Sequence, residues 1–388
     1  MKLRIALALF LATIPLSLLR APAQDTAQAN KSIKAALQPF VDSHSLAGAV
    51  TLVADKDRVI SQEAVGFSDI VAMILMPLDA IFWIASMSKP ITAVGLMMLV
   101  DEGKVKLDDP IDKYLPEFRK QWLIVEKDTD HVVLKKPKTP ITVRHILTHT
   151  SGMPFRSDLE EPTLDMVTLK DAIRSYAMTP LQSEPGTKHA YSNAGINTAG
   201  RIIEVVSGMP YEDFMDKRLF IPLGMKDTTF WPNDEQLKRL AKAYSPNKEK
   251  NDLVEIKISS LKYPLNDRKR QPMPAGGLFS TAKDVGIFCQ MMLNNGTWNG
   301  KEYLTPAAVK EMTSRQTPEG LPSWGLGFTA GGGTFGHGGA LSTNMSIDTK
   351  TGMITVFLVQ HQGFAGNGGQ SHGAFRKAAE EVFRSTRK

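Results

Sequence analysis

The chain has 388 residues, 46 of them basic and 40 acidic, with 42% apolar content and a single cysteine, Cys289. A net charge of +6 spread this thinly gives no support to nucleic-acid binding, and one cysteine excludes an intrachain disulfide. Stability must come from an ordinary core, for which the length suffices as one large domain or two packed lobes.

The first residues combine a basic start (Lys2, Arg4), an apolar run from Ile5 to Leu19 and a small-residue site, Ala21-Pro22-Ala23. That pattern predicts a secretory signal peptide over 1–23 and a mature unit over 24–388. An uncleaved anchor is the alternative, but the apolar run is short for a membrane span. Removing Lys2, Arg4 and Arg20 lowers the net charge from +6 to +3. The mature protein is expected to be exported, periplasmic or secreted, without stable membrane insertion. The basic runs Lys135-Lys136-Pro137-Lys138 and Arg268-Lys269-Arg270 read as solvated loops, so no nucleic-acid partner is expected.

A helix is expected around Asn30 to Phe40. The runs AGAVTLVA and RVISQEAV then flank Asp55-Lys56-Asp57, a hairpin signal over 47–64. Helical periodicity dominates the middle, at Ser88 to Gly103, Asn193 to Gly208 and Thr281 to Asn294, while 120–139 reads as a hairpin insertion. Near the end, NMSID and MITVFLVQ flank a polar turn, and an amphipathic helix runs from His372 to about Arg384. Strands at both ends with helices between predict an α+β fold: one antiparallel sheet formed from both chain ends with flanking helices, plus an inserted, mainly helical lobe. A cleft between the lobes is the natural place for a site.

Three short segments carry chemistry. Ser86 ends an apolar stretch and starts a helix, with Lys89 three residues on, so hydroxyl and amine share a helix face. A lysine desolvated enough to be neutral can activate that serine, and the helix-start amides, including that of Ser86, then face a developing oxyanion. The same spacing occurs at Ser245/Lys248, Ser259/Lys262, Ser280/Lys283 and Ser385/Lys388. Ser280 is the serious competitor because it too precedes a helix, but Thr281 with Asp284 makes a capping box that accounts for that segment. Tyr191-Ser192-Asn193 is the second segment, the one Tyr-x-Asn among seven tyrosines. A phenol beside a lysine can pass protons, and an amide can orient a substrate carbonyl; half-burial and N-capping are the structural alternatives. The third is His337-Gly338-Gly339, where glycines let backbone pass close to a ligand and the next amide, Ala340, could complete an oxyanion hole.

In this order the three segments resemble the serine β-lactamase and penicillin-binding-protein superfamily, in its class C-like branch with family VIII carboxylesterases and D-amino-acid-specific peptidases. PITVRHILTHTSGM, YSNAGINTAGRIIEVVSGMPYEDF, PLGMKDT, PAGGLFSTAKDV, WGLGF and GHGGALSTNM extend the likeness over most of Lys31 to Gln360. The resemblance implies a β-lactamase/transpeptidase-like fold. It also implies Ser86, Lys89 and Tyr191 as catalytic residues, and Asn193, His337, Gly338, Gly339 and Ala340 as substrate-binding. Lys350-Thr351-Gly352 matches the family's third box literally but sits in a polar turn between strands and is rejected. A neutral imidazole at His337 lowers the expectation of penicillin hydrolysis.

His145 and His149 have the spacing of two zinc ligands but lack the intervening glutamate of the metalloprotease motif, and no Gly-x-Ser-x-Gly occurs. No metal or cofactor is expected. The expected function is acyl transfer to water through an acyl-enzyme, on a small ester or peptide-like substrate, carboxylesterase-like first, with D-amino-acid peptides and β-lactams as enzymatic alternatives. The alternative in kind is a catalytically silent cell-wall binding protein.

Overall fold

The computed structural model describes residues 32–387. The expected signal peptide, 1–23, lies outside them.

Seven strands form one antiparallel sheet: β1 (Gly48–Ala54), β2 (Val59–Asp69), β3 (Ile74–Leu75), β4 (Thr329–Gly331), β5 (Thr334–Gly338), β6 (Asn344–Asp348) and β7 (Met353–Leu358), in the order β4-β5-β6-β7-β1-β2-β3. The two chain ends meet at its centre, where β1 pairs with β7 from Val50↔Leu358 to Ala54↔Ile354. Every residue of β1 is buried, because both faces are covered and side chains alternate between them. Ala49 and Val53 point toward helices α1 (Ile33–Asp42) and α6 (Ser371–Ser385), joining Leu37, Phe357 and Phe375. Val50, Leu52 and Ala54 point the other way, into a larger core with Val285 and Phe288 of α5 (Ala282–Leu293).

The middle of the chain supplies the helical lobe: α2 (Ser88–Asp101), α3 (Leu169–Met178) and α4 (Asn193–Ser207). Helix α2 is buried from Ser88 through Leu99, and α4 packs against both α2 and α3. Gly208 ends α4 at φ 72°, the left-handed conformation that glycine adopts without strain. The lobes are stitched together by a short ladder of Phe82–Trp83 with Phe279–Ser280. The insertion over 120–139 forms the expected hairpin, Leu123–Lys127 with Val132–Lys135, whose second strand is fully exposed.

Two local expectations change. Ser86 sits in a tight 3₁₀ turn, Ala85–Met87, ahead of α2 rather than in its first turn. Ala85 in that turn has φ 47°, a conformation that costs a non-glycine residue of order 1 kcal/mol. Ser280 is a strand residue, and only half of the expected capping box forms beside it. Thr281 accepts the Asp284 N–H at 3.2 Å, but the Asp284 carboxylate turns away to Asp227 N–H and Thr228.

Candidate active site

The site is assembled at the junction of the two lobes, starting from Lys89. Its side chain is fully buried, yet its amine has three polar neighbours: Asn193 Oδ1 at 2.8 Å, the Ala275 carbonyl at 2.6 Å and Ser86 Oγ at 3.1 Å. None of these is a carboxylate. Taking an ammonium out of water costs several kcal/mol, which neutral acceptors do not return, so burial holds the Lys89 pKa well below the usual lysine range. A neutral amine has two N–H donors and one lone pair. Donation to Asn193 and Ala275 leaves the lone pair for the Ser86 hydroxyl.

Asn193 is free to do this because Ser192 takes the capping role: Ser192 Oγ accepts the Gly195 N–H at 3.1 Å, which makes Asn193 the first helical residue. The Tyr191-Ser192-Asn193 turn is held by the segment 149–155. His149 Nδ1 accepts the Ser192 N–H at 3.1 Å, Ser192 Oγ donates to the Pro154 carbonyl at 2.7 Å, and the Phe155 carbonyl takes the Asn193 N–H at 2.9 Å. The Tyr191 ring lies 4.7 Å from Lys89 Nζ and 4.4 Å from the His149 ring, with Trp324 and Phe155 completing an aromatic surround. Burial raises the Tyr191 phenol to about 12, opposed by the Ser86 hydroxyl beside it. The phenol therefore keeps its proton at neutral pH.

His337 faces Tyr191 from β5. Its Nδ1 lies 2.6 Å from the Gly338 carbonyl, which places the proton there, and the Tyr191 hydroxyl can donate to Nε2 at 3.5 Å. Burial, with the Lys89 charge second, pushes its pKa down to about 3, so the ring is neutral. The glycines that follow have a steric reason. A Cβ on Gly339 would lie 2.1 Å from Thr343 Oγ1 and 2.5 Å from the Ile84 carbonyl, so only glycine lets this strand end press against the turn carrying Ser86. Ala340 is thereby brought next to that turn, and the backbone N–H groups of Ser86 and Ala340 have no partner among the described residues.

The structure thus gathers Ser86, Lys89, Tyr191, Asn193 and His337-Gly338-Gly339-Ala340 around one point. Lys350-Thr351-Gly352 lies away from it, in the β6–β7 turn, where Asp348 Oδ1 accepts the Lys350 and Thr351 N–H groups. His145 and His149 serve backbone: His145 Nδ1 accepts the Thr142 N–H at 3.2 Å and caps its own helix. Sequence reasoning missed two contributors. Ala275 acts through a carbonyl, which no side-chain signal announces. His149 forms the floor beneath Tyr191, a role that its spacing from His145 does not announce.

Comparison with known proteins identifies the fold and the family. Protein Rv1367c of Mycobacterium tuberculosis is 30% identical over 367 residues, covering 84% of this chain and 89% of its own. EstCE1, a hydrolase with promiscuous acyltransferase activity, superposes with a TM-score of 0.74 at 25% identity, over 90% of this chain and 98% of that one. The D-amino acid amidase of Ochrobactrum anthropi shares the fold, with a TM-score of 0.70 at 24% identity, over 91% and 99% of the two chains. The Beta-lactamase family profile matches residues 33–378, and with the three motifs meeting at one cleft, the chain belongs to the beta-lactamase family.

Proposed function

We propose that this serine hydrolase acts as a carboxylesterase on short-chain esters, through an acyl-enzyme on Ser86. The arrangement that carries the reading is the Lys89 amine, buried among neutral partners with Ser86 as its third neighbour. Ser86 Oγ attacks the ester carbonyl carbon while its proton passes to Lys89 Nζ. The carbonyl oxygen becomes an oxyanion held by the Ser86 and Ala340 N–H groups. Collapse breaks the bond to the alcohol. Tyr191 donates its proton to the departing oxygen and is reprotonated from Lys89, leaving the acyl group on Ser86. Water repeats the sequence against the acyl-enzyme, so the acid leaves and Ser86 regains its proton. Asn193 fixes the amine and can orient the substrate carbonyl.

The neutral His337 supports an ester over a substrate carrying a carboxylate at that wall, since the imidazole offers no fixed positive charge there. EstCE1, a hydrolase, supports the same reading. The test is intact mass of the protein and of Ser86→Ala after a fluorophosphonate, a penicillin or a p-nitrophenyl ester, with product release followed in parallel. A Ser86-dependent adduct with ester turnover is expected. No adduct and no turnover would leave a silent binding protein on this fold as the better account.

A further inference from the structure

Behind Lys89 lies a buried carboxylate that the reaction above does not use. Glu160 is 1% exposed, and burial raises its pKa against the pull of its hydrogen-bond donors and of Arg156. A carboxyl in such a place needs a reason, because burying it is unfavourable unless each oxygen is satisfied. Its donors come from three directions: the Ser157 N–H at 2.8 Å, the Tyr176 hydroxyl of α3 at 2.7 Å and Asn197 Nδ2 of α4 at 3.3 Å. Asn197 in turn uses its Oδ1 to accept the Ala275 N–H at 3.0 Å, and the carbonyl of that same Ala275 accepts from Lys89 Nζ at 2.6 Å.

We propose that Glu160 is a positioning residue for Lys89, acting through the Asn197 amide and the backbone of Ala275. The logic is one of donors and acceptors. Glu160 Oε1 accepts from Asn197 Nδ2 at 3.3 Å beside the Tyr176 hydroxyl, which accepts at 3.0 Å and itself donates to Glu160, so the NH₂ end of Asn197 faces this pair and Oδ1 is left facing Ala275. With the amide reversed, two donors would oppose each other at the Ala275 N–H. The Ala275 N–H is held in consequence, and on the other side of its Cα the Ala275 carbonyl meets the lysine amine. Asn193 and Asn197, one turn apart on α4, therefore address the same amine, one directly and one through the backbone of Ala275. The Pro274 carbonyl, at the other end of the same peptide group, accepts from Thr92 Oγ1 at 2.8 Å, so Thr92 and Asn197 hold that peptide from its two ends. On the far side, the titratable groups facing Lys89 are Tyr191, His149 and His337, each uncharged at neutral pH.

The inference rests on the reading of Lys89 as the base for Ser86. The experiment measures the pH dependence of the fluorophosphonate labelling rate, together with kcat and KM on a p-nitrophenyl ester, for the full chain and for Glu160→Ala, Glu160→Gln and Asn197→Ala, with melting temperatures alongside. Glu160→Ala is expected to lower kcat about tenfold or more with KM held within about twofold, as for a misaligned reacting group. Glu160→Gln, which can still accept from Asn197, restores most of kcat, and Asn197→Ala reproduces the Glu160→Ala loss without adding to it in the double variant. Unchanged kcat in Glu160→Ala and in Asn197→Ala would overturn the inference alone. So would equal damage by Ala and Gln in step with melting temperature, the mark of a structural role; should Glu160→Ala fail to fold, Asn197→Ala and Glu160→Gln decide on the same readouts. Absence of Ser86 labelling in the unmodified protein would overturn the base assignment and this inference with it.

Discussion

Ser86–Lys89 and Ser280–Lys283 share a spacing and also a neighbourhood: each begins at or shortly after one strand of the same two-stranded ladder and each leads into a helix. Their fates differ completely. After Trp83 the chain makes the left-handed step at Ala85 that lifts Ser86 out of the strand, and α2 carries Lys89 into the interior. Ser280 stays in the ladder with its hydroxyl 2.8 Å from Thr228 Oγ1, and Lys283 is exposed to solvent. The difference teaches that spacing brings a hydroxyl and an amine to one face, while desolvation of the amine decides whether chemistry follows.

The strongest way to break the comparison is to remove each hydroxyl. Ser86→Ala is expected to lower ester turnover by about three orders of magnitude or more with the fold intact. Ser280→Ala is expected to keep turnover within about twofold and to lose about 1 kcal/mol of stability with its hydrogen bond; steady-state rates and denaturant melts check both. Next come the amines. Lys89→Met is expected to cost about 10²- to 10⁴-fold in kcat, while Lys283→Met changes little. In the unmodified protein, activity should be lost as pH falls through the depressed Lys89 pKa, because protonation consumes the lone pair that faces Ser86. A pH–rate profile measures this, and a flat acidic limb would contradict it. Tyr191→Phe sharpens the picture: a loss of about 100-fold in kcat is expected, with single-turnover kinetics showing slower leaving-group release. The smallest effect belongs to Lys350→Ala, in the turn that only imitates the family's third box, where rate should be unchanged and stability should stay within about 0.5 kcal/mol.

Much of this was legible before any coordinates. The alternation in AGAVTLVA and MITVFLVQ, with helical periodicity between them, located the sheet at the chain ends and the helical lobe in the middle, because strand and helix periods are direct consequences of backbone geometry. The spacing of Ser86 and Lys89, the Tyr-x-Asn turn and the glycines after His337 located the cleft. Backbone donors and acceptors were not legible: nothing in the letter for Ala275 says that its carbonyl will face a lysine. Nor was the division of labour between Ser192 and Asn193, since both residue types cap helices and only the turn geometry decides which does. The spacing of His145 and His149 is that of two ligands on one helix face, a reading that the missing glutamate already argues against. The helix ends between them, at Leu147, and His149 adopts φ 57°, so the two rings go separate ways.

The pairing of β1 with β7 also has a consequence for synthesis. The strand at Gly48–Ala54 leaves the ribosome early, but its partner at Met353–Leu358 leaves almost last. The parts gathered around Ser86 are similarly scattered, up to Ala340. A nascent chain therefore exposes its serine long before it has an amine pocket or a complete set of oxyanion donors, and contacts so distant in sequence close late in folding. The complete site is therefore assembled only once the C-terminal strands have been made and paired.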